Sequence, residues 1–288
     1  MIWRLRTVVL LVLLAVGQSC TDYSDYEQVG DYRFLLTEVG PLPTVLPECS
    51  GMAYHEGSLI ALNDGGNGSF VYELSATTGE LVQQIPIAGT DNMDWEALAL
   101  YDGELVIADT GNNDGSRQSQ TLYHIDANTY SKSSTTTFAL AGQPMAPSMN
   151  HNYDCEALSL IDGDYYLWTK NRGNDSTNLW VGEIGTSEFS LRASMPVAGL
   201  ITDSYYHEPS DTHLLLCNER HGSTFASAIE VVTIDDEFKV TSHATLPLML
   251  DDKVEAITWV SDDRFLLASE SKQMGDLGML YEIALVGL

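Results

Sequence analysis

The chain has 288 residues, enough for one large domain, and its 44% hydrophobic content excludes an intrinsically disordered protein. Its 41 Asp and Glu against 13 Lys and Arg give a formal net charge of −28. Such a surface repels the phosphate backbones of nucleic acids, so no nucleic-acid partner is expected. It also makes copies of the chain repel one another, so a monomer is expected.

The first twenty residues predict a secretory signal peptide. Arg4 and Arg6 precede a wholly apolar run from Val8 to Val16, which is too short to span a bilayer as a helix. The segment ends at Cys20, and a cysteine there resembles a bacterial lipoprotein signal, in which Cys20 carries a lipid anchor. Gln18 stands where such signals usually have a small residue, so ordinary secretion is the alternative.

Residues 21–30 are predicted to tether the anchor to a folded domain that spans 31–288. The expected location is the cell envelope, as an outer-membrane or cell-surface lipoprotein, and the alternative is a periplasmic or secreted protein. Beyond the signal, the cysteines are Cys49, Cys155 and Cys217. Their spacing matches no metal motif, so buried thiols are expected, with one disulfide at most as the alternative.

Five repeated units make up the predicted domain. The clearest open at Glu96, Glu156 and Glu255, each with an apolar strand, a turn, and a second apolar strand that ends in a polar loop. Looser copies open at Ser50 and Ala198. Four short antiparallel strands per unit are typical of a propeller blade. The sequence therefore predicts an all-β protein, a single β-propeller of five four-stranded blades.

In chain order, a lone strand at Asp31–Val39 precedes the first unit. The fifth unit ends before a fourth strand, so the lone strand is expected to complete it and close the ring. A sixth blade hidden in Ala141–Tyr153 is the alternative, but its prolines and lack of alternation favour a loop. The four strands predicted in the first unit are Gly51–Tyr54, Leu59–Leu62, Phe70–Leu74 and Leu81–Ile87.

The repeat openings resemble a known family. The Glu-Ala-Leu openings at Glu96 and Glu156, Glu-Ala-Ile at Glu255 and Ser-Gly-Met at Ser50 are similar to those of the SdiA-regulated domain family of bacterial propellers. A broader set of exported propellers, including the esterase-like domain of phytase type, is more distantly similar. The resemblance implies the propeller fold and names no biochemical activity.

The unit openings suggest a cation site. Inner strands line a propeller's channel, so Glu96, Glu156 and Glu255 are expected to converge, and carboxylates brought together need a counter-charge. Ca²⁺ accepts six to eight oxygen ligands, and Asp94 and Asp154 can add oxygens. The predicted cofactor is Ca²⁺ on these five residues. The alternative is that the carboxylates accept hydrogen bonds from backbone N–H groups at the strand starts.

The ends of the second strands suggest a ligand-binding face. They carry polar side chains and cations in a protein with few cations, so a small molecule with an anionic group, or a protein, is the expected ligand. Ordinary turn chemistry is the alternative. The residues of this predicted face are Asn63, Asp64, Asp109, Asn112, Lys170, Asn171, Arg172, Asn218, Glu219, Arg220 and Glu270.

Two hypotheses of function follow. The first is a membrane-tethered binding or scaffold module with a structural Ca²⁺ in its channel. The second is a metal-dependent hydrolase, of the phosphoesterase or lactonase kind, that uses the same cation as a Lewis acid. The sequence has no Gly-x-Ser-x-Gly nucleophile elbow, His-Glu-x-x-His motif or phosphate loop to favour a particular enzyme class.

Overall fold

The computed structural model describes residues 25–222, 224–271 and 276–288. The predicted signal peptide, Cys20 and residues 21–24 of the predicted tether lie outside these residues. Among the described residues, no helix is long and apolar enough to cross a membrane.

Short strands whose side chains alternate between two faces form five antiparallel sheets arranged in a ring. The inner strands are β3 (Cys49–His55), β7 (Trp95–Tyr101), β11 (Cys155–Ile161), β15 (Leu200–His207) and β19 (Val254–Ser261). The second strands are β4 (Ser58–Asn63), β8 (Glu104–Asp109), β12 (Asp164–Thr169), β16 (Thr212–His221) and β20 (Arg264–Ser269). The outer strands of blades one to four are β5 (Phe70–Ser75), β6 (Leu81–Pro86), β9 (Gln120–Asp126), β10 (Lys132–Phe138), β13 (Ser176–Glu183), β14 (Ser190–Pro196), β17 (Thr224–Ile234) and β18 (Val240–Pro247).

The fifth blade is closed by the N-terminal part of the chain, as predicted. Strand β2 (Tyr32–Pro41) pairs with β21 (Met279–Val286), which pairs with β20. A short strand β1 (Glu27–Val29), within the predicted tether, adds a fifth strand to this blade. The segment between β10 and β11 forms no strand, so the protein is a five-bladed β-propeller.

The core consists of five apolar clusters, and each lies between two adjacent blades. Trp95, for example, is fully buried between blades one and two. Cys49, Cys155 and Cys217 are buried free thiols in three different clusters, in agreement with the first prediction for them.

Inner strands approach closely where their side chains are smallest. A Cβ on Gly51 would lie 2.5 Å from the backbone nitrogen of Leu98 on the next blade. Ala97, Ala157 and Ala256 occupy the equivalent position in three other blades. The fourth blade has Asp203 there, and its Oδ2 accepts a hydrogen bond of 2.8 Å from the Ile257 backbone N–H of the next blade.

Candidate functional site

Each inner strand is interrupted at the same place. Its register with the second strand shifts by one residue near the strand start, which leaves one extra residue in a β-bulge. A bulge redirects the side chain that it carries, and because inner strands line the channel, the five bulge residues surround one end of it. We call this end the acidic mouth; its bulge residues are Ser50, Glu96, Glu156, Thr202 and Glu255.

Two bulge residues link neighbouring blades. Ser50 Oγ donates to the Trp95 carbonyl at 2.8 Å, and Thr202 Oγ1 donates to the Val254 carbonyl at 2.9 Å. Both hydroxyls are buried and both acceptors belong to the next blade, so these contacts fix the ring. The three glutamates are left as the charged members of the acidic mouth.

Glu156 has its own counter-charges. Lys170 Nζ lies 2.6 Å from Glu156 Oε2, and Arg172 Nη2 lies 3.8 Å from Glu156 Oε1. Burial disfavours the charged form of Lys170, yet the carboxylates of Glu156, Glu255 and Glu96 around it raise its pKa above the ordinary value. Lys170 is therefore a charged ammonium held among all three glutamates.

Glu255 is also matched by a cation. Lys253 Nζ lies 2.8 Å from Glu255 Oε1 and 2.9 Å from Glu270 Oε1. Burial raises the pKa of Glu255 to about 7, against the opposing effect of Lys170 and Lys253.

Glu96 has no such partner. It is 2% exposed, its Oε1 has no hydrogen-bond partner among the described residues, and no Lys or Arg of the described chain forms an ion pair with it. Two other carboxylates come to it instead: single oxygens of Asp64, Asp94 and Glu96 all lie within 4.8 Å of one another. We call these three residues the carboxylate cluster.

Two glycines make room for the carboxylate cluster. A Cβ on Gly111 would lie 2.2 Å from Glu96 Oε1 and 2.4 Å from Asp94 Oδ2, and a Cβ on Gly65 would lie 2.4 Å from Asp94 Oδ1. No side chain fits at either position without moving Asp94. The backbone of the loops after β4 and β8 is therefore shaped around these oxygens.

The carboxylate cluster holds its protons tightly when no cation is present. Burial, followed by the charges of neighbouring carboxylates, raises the pKa of Asp64 and of Asp94 to about 6 each. Burial and the charge of Glu156 raise the pKa of Glu96 well above its ordinary value. Either protons or a cation must compensate these three groups.

The separation of the oxygens suits a cation such as Ca²⁺. Ligands at about 2.4 Å from Ca²⁺ lie within about 5 Å of one another, as these three oxygens do. The structure thus separates the five residues predicted to bind the metal. Glu96 and Asp94 lie together with Asp64, which was assigned to the ligand face, whereas Glu156, Glu255 and Asp154 have basic partners.

Two aspartates around the cluster accept hydrogen bonds from backbone N–H groups, as the alternative to a cation site predicted for carboxylates at the strand starts. Asp154 Oδ1 accepts the Asn112 N–H at 2.6 Å, and its Oδ2 lies 2.5 Å from Arg172 Nε. Asp109 Oδ1 accepts the Asp94 N–H at 3.0 Å and pairs with Arg117 at 2.9 Å. These two carboxylates hold loops in place at the strand starts.

The asparagines predicted to bind a ligand are used inside the fold. Asn63 Nδ2 donates to the Val45 carbonyl at 2.9 Å, and Asn112 Oδ1 accepts the Arg117 N–H at 2.9 Å. Asn171 Nδ2 donates to the Asn174 carbonyl at 3.0 Å, while its buried Oδ1 has no partner among the described residues. These amides shape the loops around the acidic mouth.

Residues 218–220 belong to the second strand of blade four and not to a loop after it, because β16 continues to His221 and pairs with β17. The cause is Asn218, which is buried and donates to the Val254 carbonyl at 2.8 Å on the next blade. Glu219 and Arg220 are exposed on the extended hairpin, and Arg220 Nε donates to the Gly222 carbonyl. Asp64, Lys170, Arg172 and Glu270 are the members of the predicted face that meet at the acidic mouth.

Sequence reasoning missed two charged residues of the channel. Lys253 precedes Glu255 by two residues, the spacing of Asp94 to Glu96 and of Asp154 to Glu156. Aligning the repeats would have found it. Asp203 stands where the other inner strands have glycine or alanine. This exception in the repeat was the signal that a buried carboxylate links two blades there.

Comparison with solved structures supports the fold. An aldose sugar dehydrogenase from Streptomyces coelicolor, in its PQQ-bound form, matches with a TM-score of 0.51 and 10% identity over 88% of this chain and 98% of that one. A glucose dehydrogenase matches with a TM-score of 0.50 and 8% identity over 86% of this chain and 98% of that one. At such identities the likeness shows the propeller fold alone.

No family model matches the chain, and no curated protein has a matching sequence. The resemblance to the SdiA-regulated domain family therefore stays a prediction, while the β-propeller class is shown by the blades themselves.

Proposed function

We propose that the protein is an exported binding module whose acidic mouth carries a Ca²⁺ ion on Asp64, Asp94 and Glu96. The observation that carries the proposal is the orphaned Glu96 Oε1, a 2%-exposed carboxylate oxygen that faces two further carboxylates. An uncompensated buried carboxylate is costly, and a divalent cation compensates three at once.

The contrast among the blades supports this assignment. Glu156 and Glu255 each have an ammonium within 2.8 Å, supplied by Lys170 and Lys253. The second blade has the same acidic opening without such a cation, and Gly111 leaves open the space beside its oxygens. In the second blade a bound ion would supply the positive charge that a lysine supplies beside Glu156 and Glu255.

The ion would also recruit a ligand. Three protein oxygens fill half or fewer of the coordination positions of Ca²⁺, so oxygens from water or from a ligand complete the shell. Lys170 and Arg172 stand beside the cluster and favour a ligand that carries an anionic group. The lipid anchor on Cys20 would present this face at the cell envelope.

Thermal unfolding with Ca²⁺ and with chelator tests the proposal. A ligand at 100 times its dissociation constant adds about 2.7 kcal/mol to the unfolding free energy. For a domain of this size that corresponds to an upward shift of roughly 5–10 °C in Tm. The shift is expected in the purified wild-type protein and should vanish in Glu96→Gln, which keeps the shape and removes the charge.

Glu48→Gln is the matched control, because Glu48 lies on the same face beside Asp64 in space and contacts Asn67 rather than the cluster. It should retain the full Ca²⁺ shift. Equal melts of the wild-type protein with and without Ca²⁺ would overturn the cation assignment. Turnover of phosphate esters or lactones that requires Ca²⁺ and Glu96 would favour the hydrolase over the binding module.

A further inference from the structure

The channel opens at its other end into a cavity of about 650 Å³. Its wall is formed by the five inner strands, from the second position after each bulge residue toward their C-terminal ends. Five half-buried aromatic residues line it: Tyr54, Tyr101, Tyr205, Tyr206 and Trp259. We call this cavity the aromatic funnel.

Hydrogen bonds to the neighbouring turns fix two of these rings. Trp259 Nε1 donates to the Asp262 carbonyl at 2.9 Å, and the Tyr206 hydroxyl donates to Asp211 Oδ1 at 2.7 Å. The polar atoms of these two rings are thus already used by the protein. What remains for a ligand is the π-surface of the rings, whose face carries partial negative charge.

Acidic residues surround the funnel. Each short connection that joins an inner strand to the second strand has an exposed acidic residue with a left-handed φ between 45° and 52°. Asp162 is one of them and also lines the cavity, together with Glu208. The five turn residues are Glu56, Asp102, Asp162, Asp211 and Asp262.

No positive charge within the cavity offsets the negative charge of these five acidic residues. The described residues that line the funnel include no Lys, Arg or His. Arg264, which follows the turn at Asp262, is paired with Glu282 of β21. The rim is therefore acidic and the wall aromatic, and these two properties favour the same kind of ligand.

We propose that the aromatic funnel binds a small organic cation, with its ammonium group against the rings of Trp259 and the tyrosines. Cations are attracted to aromatic faces, most strongly to tryptophan, and quaternary ammonium groups are recognised by aromatic cages. The acidic turns add a long-range attraction that concentrates cations at the mouth. A cavity of about 650 Å³ is large enough to hold a small organic cation.

This site is separate from the acidic mouth. Glu96 and Tyr101 are five positions apart on β7, a distance of about 17 Å along a strand. Asp203, held by the backbone N–H groups of Ser204 and Ile257, lies between the two ends. Loss of the calcium assignment would therefore leave the funnel proposal standing.

Choline and its uncharged carbon isostere, 3,3-dimethylbutan-1-ol, are the probes. Among the described tryptophans, Trp95, Trp168 and Trp180 are at most 3% exposed, so Trp259 is the indole within reach of an added molecule. Choline should quench tryptophan fluorescence saturably, and ligand-observed NMR should show binding. The isostere should bind at least tenfold more weakly, because it lacks the charge that the rings and turns attract.

Variants locate the binding site. In ligand-observed NMR, Trp259→Ala should lose choline binding, whereas Trp259→Phe should retain part of it, which also controls for folding. Asp162→Asn should weaken binding several-fold. The matched control Asp236→Asn removes an exposed aspartate from the outer turn between β17 and β18 and should change nothing.

Three results would overturn the proposal. Equal binding of choline and its isostere would make the funnel a simple apolar pocket. Binding of glucose that displaces choline would assign it to carbohydrates. Absence of choline binding in the folded wild-type protein would leave the aromatic rim without a ligand of this class.

Discussion

The repeat places acidic residues at both ends of the channel, but it buries them at one end and exposes them at the other. At the acidic mouth each inner strand gains an extra residue, and the bulge buries three glutamates that need compensation. At the aromatic funnel each inner strand ends in a short connection, which leaves its acidic residue exposed to water. Local backbone geometry therefore decides whether an acidic residue of the repeat is buried and needs a counter-charge or is exposed to water.

The difference has an energetic consequence. A buried carboxylate must find a proton, a lysine or a metal ion, so substitutions at the acidic mouth should be costly. An exposed carboxylate contributes to attraction at a distance and little to stability. The following predictions are arranged by the size of their expected effect.

The largest effect is expected for Lys170→Met. The change removes the ammonium that lies 2.6 Å from Glu156 and leaves buried carboxylates without compensation. Breaking a buried pair in this way costs about 3–5 kcal/mol of unfolding free energy. Urea unfolding in chelator measures it.

Arg264→Met is the matched control for that experiment, because Arg264 is exposed and pairs with Glu282 near the other end of the channel. It should cost under about 1 kcal/mol. Equal losses for the two variants would contradict the contrast between the two ends.

A smaller effect is expected for Gly111→Ala. The added Cβ would lie 2.2 Å from Glu96 Oε1 and must push the carboxylate cluster apart. Crowding of this kind typically costs about 1–3 kcal/mol. We expect at least a tenfold loss of Ca²⁺ affinity, or about 1.4 kcal/mol, by calorimetric titration. Undiminished affinity would place the ion elsewhere.

The dependence of stability on pH should be weaker still. Folding raises the pKa of Asp64 and Asp94 to about 6, so the folded chain holds protons that the unfolded chain has released. Their contribution to stability is therefore present below about pH 4 and is lost as the pH rises through about 6. Allowing for solvent screening of the half-buried Asp94, the loss is on the order of 1–2 kcal/mol.

Urea unfolding at about pH 5 and about pH 7, without divalent cations, measures this loss. Saturating Ca²⁺ should reduce it, because the bound ion compensates the ionised carboxylates. Asp64→Asn should remove the contribution of Asp64 and so reduce the pH dependence, and Asp236→Asn should leave it unchanged. A wild-type protein whose stability rises over this range at the same ionic strength would contradict the raised pKa values.

The fold could be predicted from the sequence because its signals are local. Acidic residue and glycine pairs such as Asp102-Gly103 mark the turns, and apolar alternation marks the strands between them. The missing fourth strand of the last blade pointed to Asp31–Val39, and β2 pairs there with β21. The length of β16 is harder to predict, because asparagine is typical of turns and the sequence does not show the partner of Asn218 on the next blade.

The site was less predictable because it depends on contacts between blades. Glu96, Glu156 and Glu255 share one position in the repeat, as expected, yet among the described residues lysines form ion pairs with only two of them. Which carboxylate lacks a cation is decided by the loops that bring Lys170 and Lys253 into the channel, and sequence spacing does not give those distances. Asp64 belongs to a different blade from Glu96, so only the closed ring brings them together.

The most direct test of the account is the position of a bound ion in a crystal grown with Ca²⁺ or a lanthanide, located by anomalous scattering. One strong peak is expected among the carboxylate oxygens of Asp64, Asp94 and Glu96, and it should be lost in Glu96→Gln. A peak held instead by Glu156 and Glu255, or no peak at the acidic mouth, would contradict it.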